Sequence, residues 1–179
     1  QRLLIQARED GCYELLLLEL STGLRRGEIQ TISSDHCSFT LAQKDAGRED
    51  FTKIPGGLPG VETRGELIYS YGVAAKKLSL AQMCRALREN PAKLYGLYPR
   101  KGVLAPGSDA DIVIYDPGDS HVIRAEDCVA NVDYNPYEGF VTAGGIREVW
   151  LRGRKTVENG KVLDTVPAGM YLARGKCDL

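Results

Sequence analysis

The chain has 179 residues, with 23 Lys plus Arg against 24 Asp plus Glu and a formal charge of −1, so no global basic field points to nucleic acid or to an anionic membrane. At about 150 residues per domain it forms one domain or slightly more, and it is too short for a complete (β/α)8 barrel of ~250 residues. Its two histidines, His36 and His121, exclude a metal site built on three or four imidazoles of this chain alone.

In chain order, Glu14-Leu15-Leu16-Leu17-Leu18-Glu19-Leu20 reads equally as a helix turn or a buried strand, and 1–20 stay unassigned. After Gly27, the β-branched and small residues of 28–35 predict a strand that finishes at Asp35. From His36 to Glu62 no period emerges, and Gly47, Pro55, Gly56, Gly57, Pro59 and Gly60 mark a long loop of the kind that is usually functional or disordered. Glu62 to Gly72 predicts a helix with Leu67, Ile68 and Tyr71 on one side. Ser79-Leu80-Ala81-Gln82 is a capping box, and Leu80, Met83, Cys84 and Leu87 then recur at helical spacing. Asn90 predicts the start of another short helix, with Pro91 at its first position and Gly96 just past its end.

Beyond Tyr98 the pattern turns to β. Ala110 to Asp116 reads as a strand closed by Pro117-Gly118, and Glu148 to Leu151 as a strand running into Arg152-Gly153. Lys155 to Glu158, Asn159-Gly160 and Lys161 to Leu163 make a hairpin, because Asn-Gly accepts the positive φ of a type I′ turn. Trp150 reads as a core aromatic or as part of a binding surface. Cys12, Cys37, Cys84, Cys128 and Cys177 are scattered without a CxxC pair, and read as free, buried thiols of a reducing compartment. The run Leu15 to Leu18 is too short for a bilayer span or a signal peptide, so a cytoplasmic protein is expected. The opening Gln1 suggests a processed or partial chain.

By spacing alone, Ser34-Asp35-His36-Cys37 is the candidate site: a carboxylate at the carboxyl end of a strand, opening a long Gly/Pro-rich loop, where α/β barrels carry their catalytic groups. The alternative is a turn aspartate that caps the next backbone amides. Adjacent residues at a strand end face opposite sides, so His36 reads as a structural histidine rather than a second ligand beside Asp35.

Ser34 to Phe39, Phe51 to Glu62, Asn90-Pro91-Ala92-Lys93, Leu97 to Gly102, Gly107-Ser108-Asp109-Ala110-Asp111 and Asn131 to Gly139 together resemble the C-terminal part of the dihydropyrimidinase/D-hydantoinase family of amidohydrolases. The resemblance runs from about Leu24 to near the end of the chain, while residues 1 to about 19 depart from the family. It implies an α/β fold: the C-terminal portion of a (β/α)8 metal-dependent hydrolase barrel over 21–100, part of a flanking β-sandwich over 101–165, and a tail over 166–179 that packs on a neighbouring subunit or is disordered. A fragment of this kind is expected to expose sheet edges and an apolar face.

The activity implied is zinc-dependent opening of a cyclic amide, in dihydropyrimidines or hydantoins. Such enzymes hold two metals with a His-x-His pair, a carboxylated lysine, two further histidines and one aspartate. Asp35 alone maps onto this set, as metal ligand and catalytic proton shuttle. The family's substrate loop reads Ile-Pro-Asn-Gly, and Gly56 stands at the Asn position as a main-chain substrate contact. The resemblance further implies a small-molecule cyclic amide or imide partner, a homo-oligomer such as a tetramer, no nucleic-acid or membrane partner, and no activity in this chain by itself. Two alternatives are a non-catalytic scaffold of the collapsin response mediator type, which lacks the aspartate, and another amidohydrolase such as a dihydroorotase or allantoinase.

Overall fold

The computed structural model describes residues 31–164 and 169–177. The predicted element at 14–20 and residues 28–30 of the predicted strand at 28–35 lie outside the described residues. Helix α1 (Leu41–Asp45) opens the helical part, and its start is a full capping box: Thr40 Oγ1 accepts from Gln43 N while Gln43 Oε1 accepts from Thr40 N at 2.8 Å. A 3-10 turn at Phe51–Lys53 follows, capped by the Asp50 carboxylate on Thr52 N. The expected structureless loop therefore holds two short helical pieces.

Helix α2 (Arg64–Ile68) widens into a π-helical stretch over Tyr69–Ala74. Helix α3 runs Leu80–Cys84, widens over Arg85–Glu89, and closes as α-helix over Asn90–Leu94. Its Ser79–Gln82 capping box forms as predicted. The separate helix expected at Asn90 does not: Glu89 and Asn90 both keep right-handed helical backbone, so the helix is continuous. Pro91 lacks an N–H and crowds the preceding turn, and the π stretch just before it provides the wider turn. Gly96, at φ +65, terminates the helix where expected. Ile32, Ile68 and Ala86 form the buried cluster between these helices, with Leu78, Met83 and Leu87 packed against it.

The predicted strand ending at Asp35 is corrected as far as it is described. Residues 31–35 form no strand, and the segment's one ladder contact is an isolated parallel bridge between His36 and Leu58. Ile32 N donates instead to Ala86 O in α3, at 3.0 Å; a parallel ladder needs a neighbouring strand along its length, and none of the described residues supplies one.

Strands β1 (Ile112–Asp116), β2 (Gly145–Leu151), β3 (Arg154–Glu158) and β4 (Lys161–Val162) form one antiparallel sheet in chain order. Both hairpins turn on paired positive φ angles, Arg152-Gly153 and Asn159-Gly160, the geometry of a type I′ turn. Val113, Val149, Val157 and Val162 pair in a row across all four strands. Val113 and Val162, on the outer strands, are each 55% exposed, so the apolar face expected from the sequence is present. Trp150 is half-buried, not core; its Nε1 donates to Glu148 Oε2 at 2.7 Å and Lys155 Nζ lies over its ring.

Side chains of α2 join the two parts by taking backbone amides of the segment that leads into β2. Glu66 Oε1 accepts from Ile146 N at 3.0 Å, and Ser70 Oγ accepts from Ala143 N at 2.8 Å while donating to Glu66 O at 2.7 Å. Tyr69 stacks on Tyr115 of β1 with ring centroids 4.3 Å apart. A second tie uses Gly107-Ser108-Asp109-Ala110-Asp111: Lys101 Nζ bonds both Asp109 and Asp111, Arg100 Nε donates to Asp109 Oδ2, and Asp111 Oδ1 accepts from Arg152 N at the β2–β3 turn. The extended tail meets α3 where Gly175 N donates to Gly96 O at 2.7 Å.

Two outcomes follow from these ties. Ser70→Ala leaves the half-buried Ala143 amide without its acceptor, which should lower stability by about 1 kcal/mol, read as a lower urea midpoint at unchanged slope. The hydrogen bonds and charges of Lys101 and Arg100 hold the Asp109 carboxyl below the usual carboxylate range. A group whose pKa is depressed on folding stabilises above its unfolded value, near 4, and loses that contribution as pH falls through the folded value. Acid unfolding should therefore be blunted in Asp109→Asn, measured as a shallower fall of the urea midpoint below about pH 4.

Candidate functional site

Asp35 has φ +44 and is exposed. Among the described residues the other non-glycine positions with positive φ are Lys76, Arg152 and Asn159, and each lies in a turn. Asp35 lies outside any assigned turn, and a left-handed residue there costs roughly 1 kcal/mol or more. Among the described residues no backbone amide donates to its carboxylate, so the capping role open to a turn aspartate is not the one it has here. Its carboxylate stands in solvent on strained backbone.

The segment after Asp35 lies against a strap formed by 55–60. His36 bridges Leu58 in parallel, and Cys37 N donates to Leu58 O at 3.2 Å. Gly57, at φ +127, sits so close that a Cβ would fall 2.4 Å from Cys37 O. Gly56 has nothing within 4 Å of the corresponding position and is exposed. Lys44 Nζ donates to Pro55 O at 2.8 Å, tying the strap to α1. His36 has the structural part expected of it: Nδ1 accepts from Gly60 N at 3.1 Å and from Val61 N at 3.3 Å. Asp35 and Gly56 thus lie in two stretches of chain that the structure brings side by side.

The wall beside the strap comes from 124–139, including the Asn131–Gly139 motif. Glu62 takes Val129 N and Ala130 N on its two oxygens, at 2.8 and 3.1 Å. Asp133 Oδ1 accepts from Leu41 N, and Glu138 Oε2 from Ala125 N. Asn135 Oδ1 accepts from Tyr137 N and its Nδ2 donates to Cys128 Sγ. Burial pushes the Cys128 thiol up, against the lowering effect of the Asn135 hydrogen bond. A shallow cleft lies between His36, Gly60 and Glu62 on one side and Cys128, Tyr134 and Asn135 on the other. Cys37, Cys84, Cys128 and Cys177 are all free, as expected, but none is fully buried: Cys84 and Cys128 are half-buried and Cys37 and Cys177 exposed.

The described residues gather no group of three or more His, Cys, Asp or Glu side chains fit to hold a metal, and zinc takes three or four protein ligands. Neither histidine adds to Asp35: the Nδ1 of His36 faces backbone amides, and the ring of His121 lies 3.1 Å from Thr142 Oγ1 and 3.4 Å from Glu66 Oε2. The sequence reading missed Glu62 and Glu66. Carboxylates that receive backbone amides from residues 67 to 80 positions away carry no local signature.

A profile of the amidohydrolase family matches residues 50–157. D-phenylhydantoinase of Escherichia coli O1:K1 / APEC is 40% identical over 157 residues, covering 87% of this chain and 34% of that protein. D-hydantoinase of Geobacillus stearothermophilus is 42% identical over 158 residues, covering 88% and 34%. The crystal structure of dihydropyrimidinase from Brevibacillus agri NCHU1002 superposes with a TM-score of 0.75 at 42% identity, over 84% of this chain and 32% of that one. The chain spans about a third of the length of the curated relatives it matches. No helix among the described residues is long and apolar enough to cross a membrane.

The two strap glycines should respond in opposite directions to a methyl group. Gly56→Ala meets open space on unstrained backbone and should stabilise by about 0.4–1 kcal/mol, whereas Gly57→Ala meets the Cys37 carbonyl at positive φ and should cost more than that. Urea unfolding of both variants beside the parent chain reads the two signs.

Proposed function

The chain belongs to the amidohydrolase family, and from that membership we propose that it forms the aspartate-bearing end of a cyclic-amide hydrolase that opens hydantoin or dihydropyrimidine rings. The observation that carries this reading is Asp35: an exposed carboxylate on left-handed backbone, without a structural hydrogen bond from the described residues, beside a strap with an open position at Gly56. Functional residues are where backbone strain of this kind concentrates. The relatives at about 40% identity are named as hydantoinases, and the enzyme lineage, unlike its scaffold relatives, carries an aspartate here.

In the proposed reaction a water oxygen adds to the ring carbonyl, and Asp35 takes the water proton. The tetrahedral carbon then releases the ring nitrogen as the C–N bond breaks, and Asp35 hands that proton to the departing nitrogen. The product is the ring-opened acid. The strap presents main-chain N–H and C=O groups at Gly56 to the imide edge of the ring, which recognises a cyclic amide without a charged side chain. Zinc, as a binuclear centre, belongs to the proposal with Asp35 as the ligand contributed by this chain and the others contributed from outside the described residues. A barrel end followed by part of a sandwich, a homo-oligomeric enzyme and a cytoplasmic location complete the reading.

Complementation tests it. A Geobacillus stearothermophilus D-hydantoinase lacking the third that this chain matches should regain hydantoin ring opening when co-expressed with the chain, and an Asp35→Asn chain should restore about 100-fold less or lower. The chain by itself should bind no stoichiometric zinc by plasma emission analysis and show no turnover. Failure of the parent chain to restore ring opening, or hydrolysis by the chain alone, would count against the reading.

A further inference from the structure

The geometry points to His36 as a positioning residue: its Nδ1 clamps the end of the strap to the Asp35 segment and so fixes where Gly56 stands relative to Asp35. This inference deepens the cyclic-amide reading and rests on it for the role of Gly56. The strap touches the Asp35 segment in three ways. Two depend on backbone alone, the Cys37 N to Leu58 O bond and the seat of Gly57 against Cys37, and they hold its middle. The third is the His36 side chain, which reaches across 24 and 25 residues of sequence to receive Gly60 N and Val61 N on one ring nitrogen.

Those amides lie where the strap ends and the turn into α2 begins, a place where backbone donors lack partners within the chain's own helix. Without the imidazole the amides turn to water, and the strap can pivot about its holds near Gly57 and at Pro55, which turns the Gly56 peptide groups against Asp35. Gly56 lies between those two points, has no neighbour within 4 Å of its Cβ position, and as glycine resists motion least. Since His36 follows Asp35 directly, the residue that fixes the strap also fixes the orientation of the left-handed Asp35 backbone. Nδ1 receives both amides, so the ring serves here as an acceptor.

The test uses two variants of the full chain that separate the two ring nitrogens. In Asn the side-chain oxygen stands one bond from Cγ, as Nδ1 does; in Gln the amide corresponds to Nε2. Site-resolved hydrogen exchange by NMR should show His36→Asn keeping the protection of the Gly60 and Val61 amides within about threefold, and His36→Gln losing tenfold or more at both. Amides of the β2–β3 ladder report that each variant is folded. In parallel, hydantoin added at millimolar concentration should shift the Gly56 and Gly57 resonances in the parent chain and in His36→Asn, and shift them less in His36→Gln. Unchanged protection in His36→Gln, or protection lost in His36→Asn with the ladder intact, would overturn the inference. Protection kept in His36→Asn and lost in His36→Gln, with no hydantoin shift in the parent, would uphold the clamp and remove the substrate reading of Gly56.

Discussion

The structure depends on carboxylates and a hydroxyl of α2, its π-helical extension and the turn before it, which receive backbone amides from a distant stretch of chain. Glu62, Glu66 and Ser70 lie along 62–70 and take the amides of Val129, Ala130, Ile146 and Ala143. These bonds matter because the apolar contribution is small: Ile32, Ile68, Ala86, Ala92 and Ile123 are the buried hydrophobic residues among those described. A hydrogen bond nets only about 1 kcal/mol, or up to about 3 where the acceptor is charged, and leaving a buried donor unmatched costs a comparable amount. Several together in one register decide how the helical part and the sheet meet. Thr142, 1% exposed, sits at the centre of this junction with its hydroxyl and amide both bonded to the His121 carbonyl.

That junction explains why the candidate site has its shape. Glu62 fixes 129–130 against the end of the strap, His36 fixes the strap against Asp35, and Asp133 caps the start of α1. Each contact joins segments far apart in sequence through one polar side chain and the backbone of the other. Geometry set in this way changes little when an apolar side chain is exchanged and changes sharply when an acceptor is removed. The Asn131–Gly139 motif, which touches the site through Asp133 and the Asn135–Cys128 bond, has its sequence signature for the same reason: its side chains replace a ladder that the irregular segment lacks.

Much of this was legible where the cause is local. The Ser79–Gln82 capping box and the Asn159-Gly160 turn depend on neighbours three residues or fewer apart, and both form as read. Thr40-Leu41-Ala42-Gln43 has the same capping grammar and starts a helix, yet the surrounding glycines and prolines made the whole of 36–62 read as loop. The π widening at 69–74 and 85–89 was not legible, since a change of hydrogen-bond register by one residue barely disturbs an apolar pattern over two turns. The continuous helix through Pro91 follows from that same widening. The strand ending at Asp35 failed because strand propensity in 31–35 is realised only against a partner, and Ile32 bonds to a helix instead. At the site, Asp35 was legible as a candidate from its position before a Gly/Pro-rich stretch and from the motif series around it, while its left-handed backbone was not.

Gly56 and Gly57 show how far a sequence pattern can mislead about cause. Read together they are one flexible dipeptide in a loop. In the structure Gly57 is required, because no side chain fits between it and the Cys37 carbonyl, while nothing local requires Gly56. A residue that packing does not demand, at the open point of a strap whose neighbours are tied down, can be exchanged without a clash in the fold. An asparagine at Gly56 would fit the space, so its absence is not imposed by the fold. Under the proposed function, the difference between this chain and the Ile-Pro-Asn-Gly pattern of the family it resembles then bears on recognition or on strap mobility rather than on packing.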